Sequence, residues 1–173
     1  YQGVASNPAA GDPTTWNEFV FGLLADGEFL IDDISVKNVS LGNVELIQNG
    51  TFSGGTSAFW RIIGNQSGTV VDDPTAPGNK VLRIRATGPT EHMHNHAGTT
   101  LKQGASYHPI NAAQTYSISF RAKWLRGSNR LHTRLYANRL ARQTLLNMPS
   151  TGGTPGTVNS RAVGNVGPTF DSL

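Results

Sequence analysis

Apolar and polar residues alternate along much of the chain. In AQTYSISFRAKWL (113–125), Tyr116, Ile118, Phe120 and Ala122 share one face, and Ser117, Ser119, Arg121 and Lys123 share the other. A period of two marks a strand with one buried and one wet side. RLHTRLYANRL (130–140) repeats the pattern, with Leu131, Thr133, Leu135 and Ala137 opposite His132, Arg134, Tyr136 and Asn138. KVLRIRATG (80–88) has Val81, Ile84 and Ala86 as apolar points and puts Arg83 and Arg85 on a common face. In EFLIDDISVKNV (28–39), alternation sends Phe29, Ile31, Asp33 and Ser35 one way and Leu30, Asp32, Ile34 and Val36 the other. Shorter strands are predicted at 16–24, 58–64, 67–73 and 142–148 and in GTTLKQ, and 44–52 reads as a strand followed by a turn.

Turn signals separate these stretches. Asp26-Gly27 predicts a tight hairpin between 16–24 and 28–36. SLGN (40–43), DPTAPGN (73–79) and RGSN (126–129) mark further turns. Leu131, Leu135 and Leu145 would also fit a helical stripe, but Thr133, Asn138 and the preceding RGSN favour a strand. With 20 glycines and nine prolines, long helices have little room. The expected class is all-β, a sandwich or barrel of about nine or ten short antiparallel strands. Residues 1–15 read as loop, and 149–173, rich in Gly, Ser, Thr and Pro, as a linker or extended tail.

Composition narrows the picture. A chain of 173 residues, 37% hydrophobic, supports one domain with a real core. The net charge of +3, concentrated in 123–142, is too sparse for a nucleic-acid reader. Without cysteine there are no disulfides, thiolate metal sites or cysteine nucleophiles. No apolar run of 18 residues predicts a membrane span. YQGVASNPAAG lacks the basic flank and apolar run of a signal peptide, so the chain is expected to begin inside a longer protein. Asn38, Asn49 and Asn65 open glycosylation-type tripeptides.

Three features carry candidate chemistry. In EHMHNH (91–96), His92, His94 and His96 alternate. Two imidazoles on one strand face, with His132, Glu91 or His108 from elsewhere, would suit zinc or copper; a hydrogen-bonding face or plain surface are the other readings. Tyr136, Arg134, Asn138 and His132 form the best polar groove face, with Arg121 expected on the neighbouring strand. A pyranose stacks on an aromatic ring while amides and guanidiniums bind its hydroxyls. Arg121 and Arg134 would equally suit a solvated face or an anionic sugar. Trp16 and Tyr107 are further stacking candidates; Trp60 and Trp124 are expected in the core. No nucleophile elbow, phosphate loop or metalloprotease helix motif occurs, so catalysis is expected only if the histidines hold a metal.

VELIQNGTF…WRIIG, KVLRIRATG and YSISFRAKW together resemble the opening half of a carbohydrate-binding jelly roll, and FLIDDISV resembles its closing strand. The closing-type strand precedes the opening-type strand here. The chain could hold the end of one module and most of a second, but first and last strands of a jelly roll are neighbours, so 16–36 is expected to complete the sheets of 44–148 within one unit, 1–148. The resemblance implies polysaccharide binding and a structural calcium at the Asp32-Asp33 position, with a Glu after the Asn-Gly-x-Phe turn. Ser53 stands there in this chain, leaving Glu45, Asn49 or Thr51 to compensate. LIDDIS, HMHNH, the ISF.AKWL to NRLA stretch and GTPG also resemble segments of large secreted bacterial proteins with spore-coat-kinase-like and lamin-tail domains. The expected function is a non-catalytic carbohydrate-binding module of a larger secreted protein, with a glycan and neighbouring domains as partners and neither nucleic acid nor membrane. The alternatives are a structural spacer or interaction domain, or a histidine metal site.

Overall fold

The computed structural model describes residues 2–4, 17–91, 94–111, 113–137, 140–148 and 161–162. Its strands are β1 (Gln2–Val4), β2 (Asn17–Leu23), β3 (Gly27–Asn38), β4 (Val44–Glu45), β5 (Arg61–Ile63), β6 (Gln66–Asp72), β7 (Lys80–Ala86), β8 (His96–Thr100), β9 (Lys102–Gln103), β10 (Ser106–Tyr107), β11 (Thr115–Gly127), β12 (Arg130–Ala137), β13 (Leu140–Asn147) and β14 (Arg161–Ala162). The first sheet runs β1-β11-β3-β7-β6, with β4 also on β3; the second runs β14-β13-β12-β2-β8-β5. All pairings are antiparallel, and β9 and β10 make a small separate hairpin. The protein is an all-β sandwich, as the alternating pattern predicts.

The core lies between the sheets. Phe19, Phe21 and Leu23 of β2 meet Phe29 and Ile31 of β3, Leu82 and Ile84 of β7, and Tyr116 and Ile118 of β11. Phe21 and Phe29 cross the interface edge to face at 6.1 Å, and Phe21 also packs on Trp60 at 5.5 Å. Burying a side chain of this kind stabilises by about 1.5–3 kcal/mol. Trp60 is buried and Trp124 partly so, both packed into the core.

Asp26-Gly27 does not make a hairpin. β2 and β3 lie at central positions in different sheets, so the turn is an arch between layers. The 126–129 turn joins β11 and β12 in the same way. The two arches lie side by side, with the Ser128 amide donating to the Asp26 carbonyl at 2.8 Å and the Leu24 amide to the Arg130 carbonyl at 3.1 Å. Glycine is required at the crossing: Gly127 has φ +73°, and a side chain there would collide with the Asp26 carbonyl. A Gly-containing turn reverses the chain equally well within a sheet or between sheets, and facing apolar surfaces decide which forms.

The second departure is a bulge in β3. Ser35 pairs with Ser119 and Asp32 with Arg121, so Asp33 and Ile34 together oppose Phe120. Asp33 has φ +50°. The extra residue resets the alternation. Phe29 and Ile31 face the core before it, and Ile34 and Val36 after it. Asp32 and Asp33 therefore both turn to the outer side and share one partner, instead of pointing apart. The Ile34 amide donates to the Gly50 carbonyl at 3.0 Å, so the Asn49-Gly50 turn grips the bulge.

Smaller corrections follow from pairing. Residues 2–4, read as loop, add a strand to β11, and 161–162, read as tail, pair with Leu146 and Asn147. Of 44–52, only Val44–Glu45 is strand. The helical alternative over 131–145 is replaced by the β12–β13 ladder. The remainder of 149–173 lies outside the described residues.

Candidate functional site: two polar faces of the sandwich

β12 carries His132, Arg134 and Tyr136 on one face, the outer side of the second sheet. All three are buried, with 4%, 6% and 3% exposure, so this face offers no open groove. Tyr136 packs with Val20. Burial lowers the Arg134 pKa to about 10, against the influence of Tyr136 and Glu91. Arg121 does not join them: β11 belongs to the first sheet. Asn138 and Trp16 lie outside the described residues.

An isolated antiparallel bridge joins Glu91 and Asn95, and His94 lies in a turn rather than on a strand. His94 is exposed in that turn, whereas His96 is buried at the start of β8. His92 lies outside the described residues. His96 shares the outer side of the second sheet with His132. Burial pushes its imidazole below its ordinary pKa, the Arg61 and Arg134 charges push further, and the Glu91 carbonyl opposes them. A neutral imidazole could ligate a metal, but two guanidiniums nearby disfavour a cation. His108 is buried beyond the far end of β8, 3.1 Å from Asn38 Nδ2. No three His, Cys, Asp or Glu side chains converge around a metal-sized position among the described residues.

The residues expected at a calcium site make contacts within the protein. Asp32 Oδ2 accepts from Arg121 Nη2 and from Asn79 Nδ2 at 2.9 Å. Asp33 Oδ2 lies 2.6 Å from Arg121 Nε. Asp32 is 2% exposed, and the 73–79 loop covers it. Glu45 Oε1 accepts three backbone amides, Val36, Leu46 and Ile47, at 3.0–3.1 Å, and its other oxygen accepts Ser35 Oγ. Asn49 Nδ2 ties down the Thr56 and Ala58 carbonyls. The guanidinium of Arg121 thus bridges one oxygen of each aspartate, Asp32 Oδ1 is buried without a hydrogen bond, and both Glu45 oxygens hold protein donors. The side-chain amide nitrogens of Asn38 and Asn65 also donate to protein acceptors.

The open polar surface is the outer face of the first sheet. A groove of roughly 390 Å³ runs between Glu28, Ser67, Thr69, Arg83 and Arg85. Glu28 is 6% exposed at its floor. Its two oxygens hold two arginines by their Nε atoms, Arg83 through Oε1 and Arg126 through Oε2, the latter at 2.8 Å. The Arg83 hydrogen bond is the largest influence on Glu28 and lowers its pKa; burial opposes it and Arg126 adds to it. Arg85 sits directly across from Glu28 in the ladder, and Lys123 and Arg83 flank Leu30 in the next row. Arg83 and Arg85 are recognisable in the sequence as a shared face. Glu28 is not, because its partners come from two other strands.

Exposed aromatics lie away from this groove. Tyr107 is 72% exposed beneath Lys102 Nζ, and Phe59 is 61% exposed with φ +73°. The Phe59 carbonyl is held by buried Thr99 Oγ1 at 2.8 Å. Sequence reasoning passed over Phe59, since a bulky residue in left-handed backbone leaves no local signature. No protein-family model, curated protein or solved structure matches the chain.

Proposed function

We propose that the protein is a non-catalytic carbohydrate-binding module of jelly-roll type, part of a larger secreted protein, and that its glycan lies across the outer face of the first sheet. The observation that carries this reading is the exposed groove lined by Arg83 and Arg85, with Arg83 held on Glu28 at its floor. Rigid guanidiniums beside the Ser67 and Thr69 hydroxyls suit a ligand rich in oxygen. The absence of an apolar floor argues against a hydrophobic small molecule. Electrophoresis of the intact chain through gels containing different polysaccharides tests it: retardation by at least one polymer is expected.

A spacer between neighbouring domains is the second reading. It draws on the packing of Trp60 and Trp124 into the core and the burial of Tyr136 against Val20, which leave the groove without a stacking ring. Mobility unchanged by every polysaccharide would favour it.

A further inference from the structure

We infer that the groove takes an acidic glycan, one bearing carboxylate or sulfate groups, rather than a neutral one. The inference rests on the glycan-binding reading and specifies its ligand.

Glu28 accepts from the Nε of Arg83 on one oxygen and from the Nε of Arg126 on the other. Arg126 Nη1 has only a 4.0 Å approach to Asp26, and both groups are at least half exposed. The Arg83 and Arg126 side chains are themselves about half exposed, at 51% and 50%. Their forks are thus fixed in orientation by a buried carboxylate and open toward solvent. Arg85 completes the row with no carboxylate partner among the described residues, and Lys123 stands one row along without one either.

Two guanidiniums therefore share the Glu28 carboxylate while Arg85 beside them has none among the described residues, and an excess of positive charge lies along this face. A planar fork matches a carboxylate or sulfate through two parallel hydrogen bonds, and holding it in advance removes part of the ordering cost. A neutral sugar would cover these charges without compensating them. Arg83 and Arg85 are two residues apart on one strand, about 7 Å, so successive acidic groups on a polymer could engage both. Nucleic acid is the competing polyanion. The groove offers no aromatic ring for a base to stack on, which disfavours single strands.

Calorimetric titration of the intact chain with polygalacturonate, its fully methyl-esterified form and duplex DNA tests the inference, with Arg85→Gln as the variant. Arg85 makes no ion pair among the described residues, so the variant should melt with the parent. The acidic polymer should bind at least about tenfold more tightly than its ester, weaken with added salt, and lose several-fold affinity in Arg85→Gln. Equal affinity for acid and ester would overturn the charge selection while leaving glycan binding standing. Binding of none of the sugars, in this titration and in the polysaccharide gels, would overturn both. DNA bound as tightly as polygalacturonate, with the same loss in the variant, would overturn the assignment to glycans.

Discussion

Arg121→Met removes a charge and keeps much of the apolar stem. The structure predicts a large effect for a surface-facing arginine, because Asp32 behind it is 2% exposed and loses its cation. Asp33, with its side chain 51% exposed, simply rehydrates. Removing one partner of a buried pair costs about 3–5 kcal/mol. Arg121 itself is 31% exposed, so water already screens part of the pair, and the Asn79 hydrogen bond to Asp32 remains. We therefore expect about 2–3 kcal/mol, a fall in Tm of about 4–12 °C for a chain of this size. Adding Asp32→Asn to Arg121→Met should recover most of the loss, since no buried charge is then left. Thermal melts followed by circular dichroism, with and without a calcium chelator, measure this. The parent should melt at the same temperature in both buffers, because a guanidinium holds the bulge. A parent that loses several degrees in chelator, or an Arg121→Met that melts within about 1 °C of it, would refute the reasoning.

Other expectations use different probes. Burial lowers the His96 pKa, so as pH falls through about 6.5 the unfolded chain gains its proton before the folded chain does. Stability is full above that pH and declines below it. His108, also lowered by burial, adds to the same slope. His96→Gln should flatten part of the dependence of Tm on pH, and an unchanged slope would show that His96 is charged in the fold. Phe59→Gly relieves left-handed strain at an exposed position and should raise stability by about 0.5–1 kcal/mol; a lower denaturant midpoint would mean that the ring packs. Gly127→Ala meets both an unfavourable φ and the Asp26 carbonyl, and should cost about 2–3 kcal/mol by urea titration. Glu45→Gln keeps its shape and loses charge-assisted bonds to three amides, so about 1–2 kcal/mol is expected from the same titration.

Much of the architecture could be read from the chain because alternation is a local property. Tyr116, Ile118 and Ala122 on one side of β11, and Leu131 and Leu135 on one side of β12, declare their buried faces through spacing alone. So do the exposed Arg83 and Arg85. Alternation assigns two faces to a strand, however, without saying whether the second face is open. His132, Arg134 and Tyr136 share a polar face as the pattern predicts, and that face is buried.

What the sequence by itself determined was the class: strands of period two, broken by glycine and proline, with too few charges and too many turns for helices. Three things were decided only by the tertiary structure. Asp26-Gly27 became an arch because Phe21 and Phe29 find each other across the core rather than along one sheet. Asp32 and Asp33 came to the same side because an extra residue in β3 faces a single position in β11, a mismatch defined by two strands about ninety residues apart in sequence. Glu28 became the anchor of two arginines because β7 and β11 flank it, with partners 55 and 98 residues away. Register between distant strands is set by the packing of the whole core, and no local window of the chain contains it.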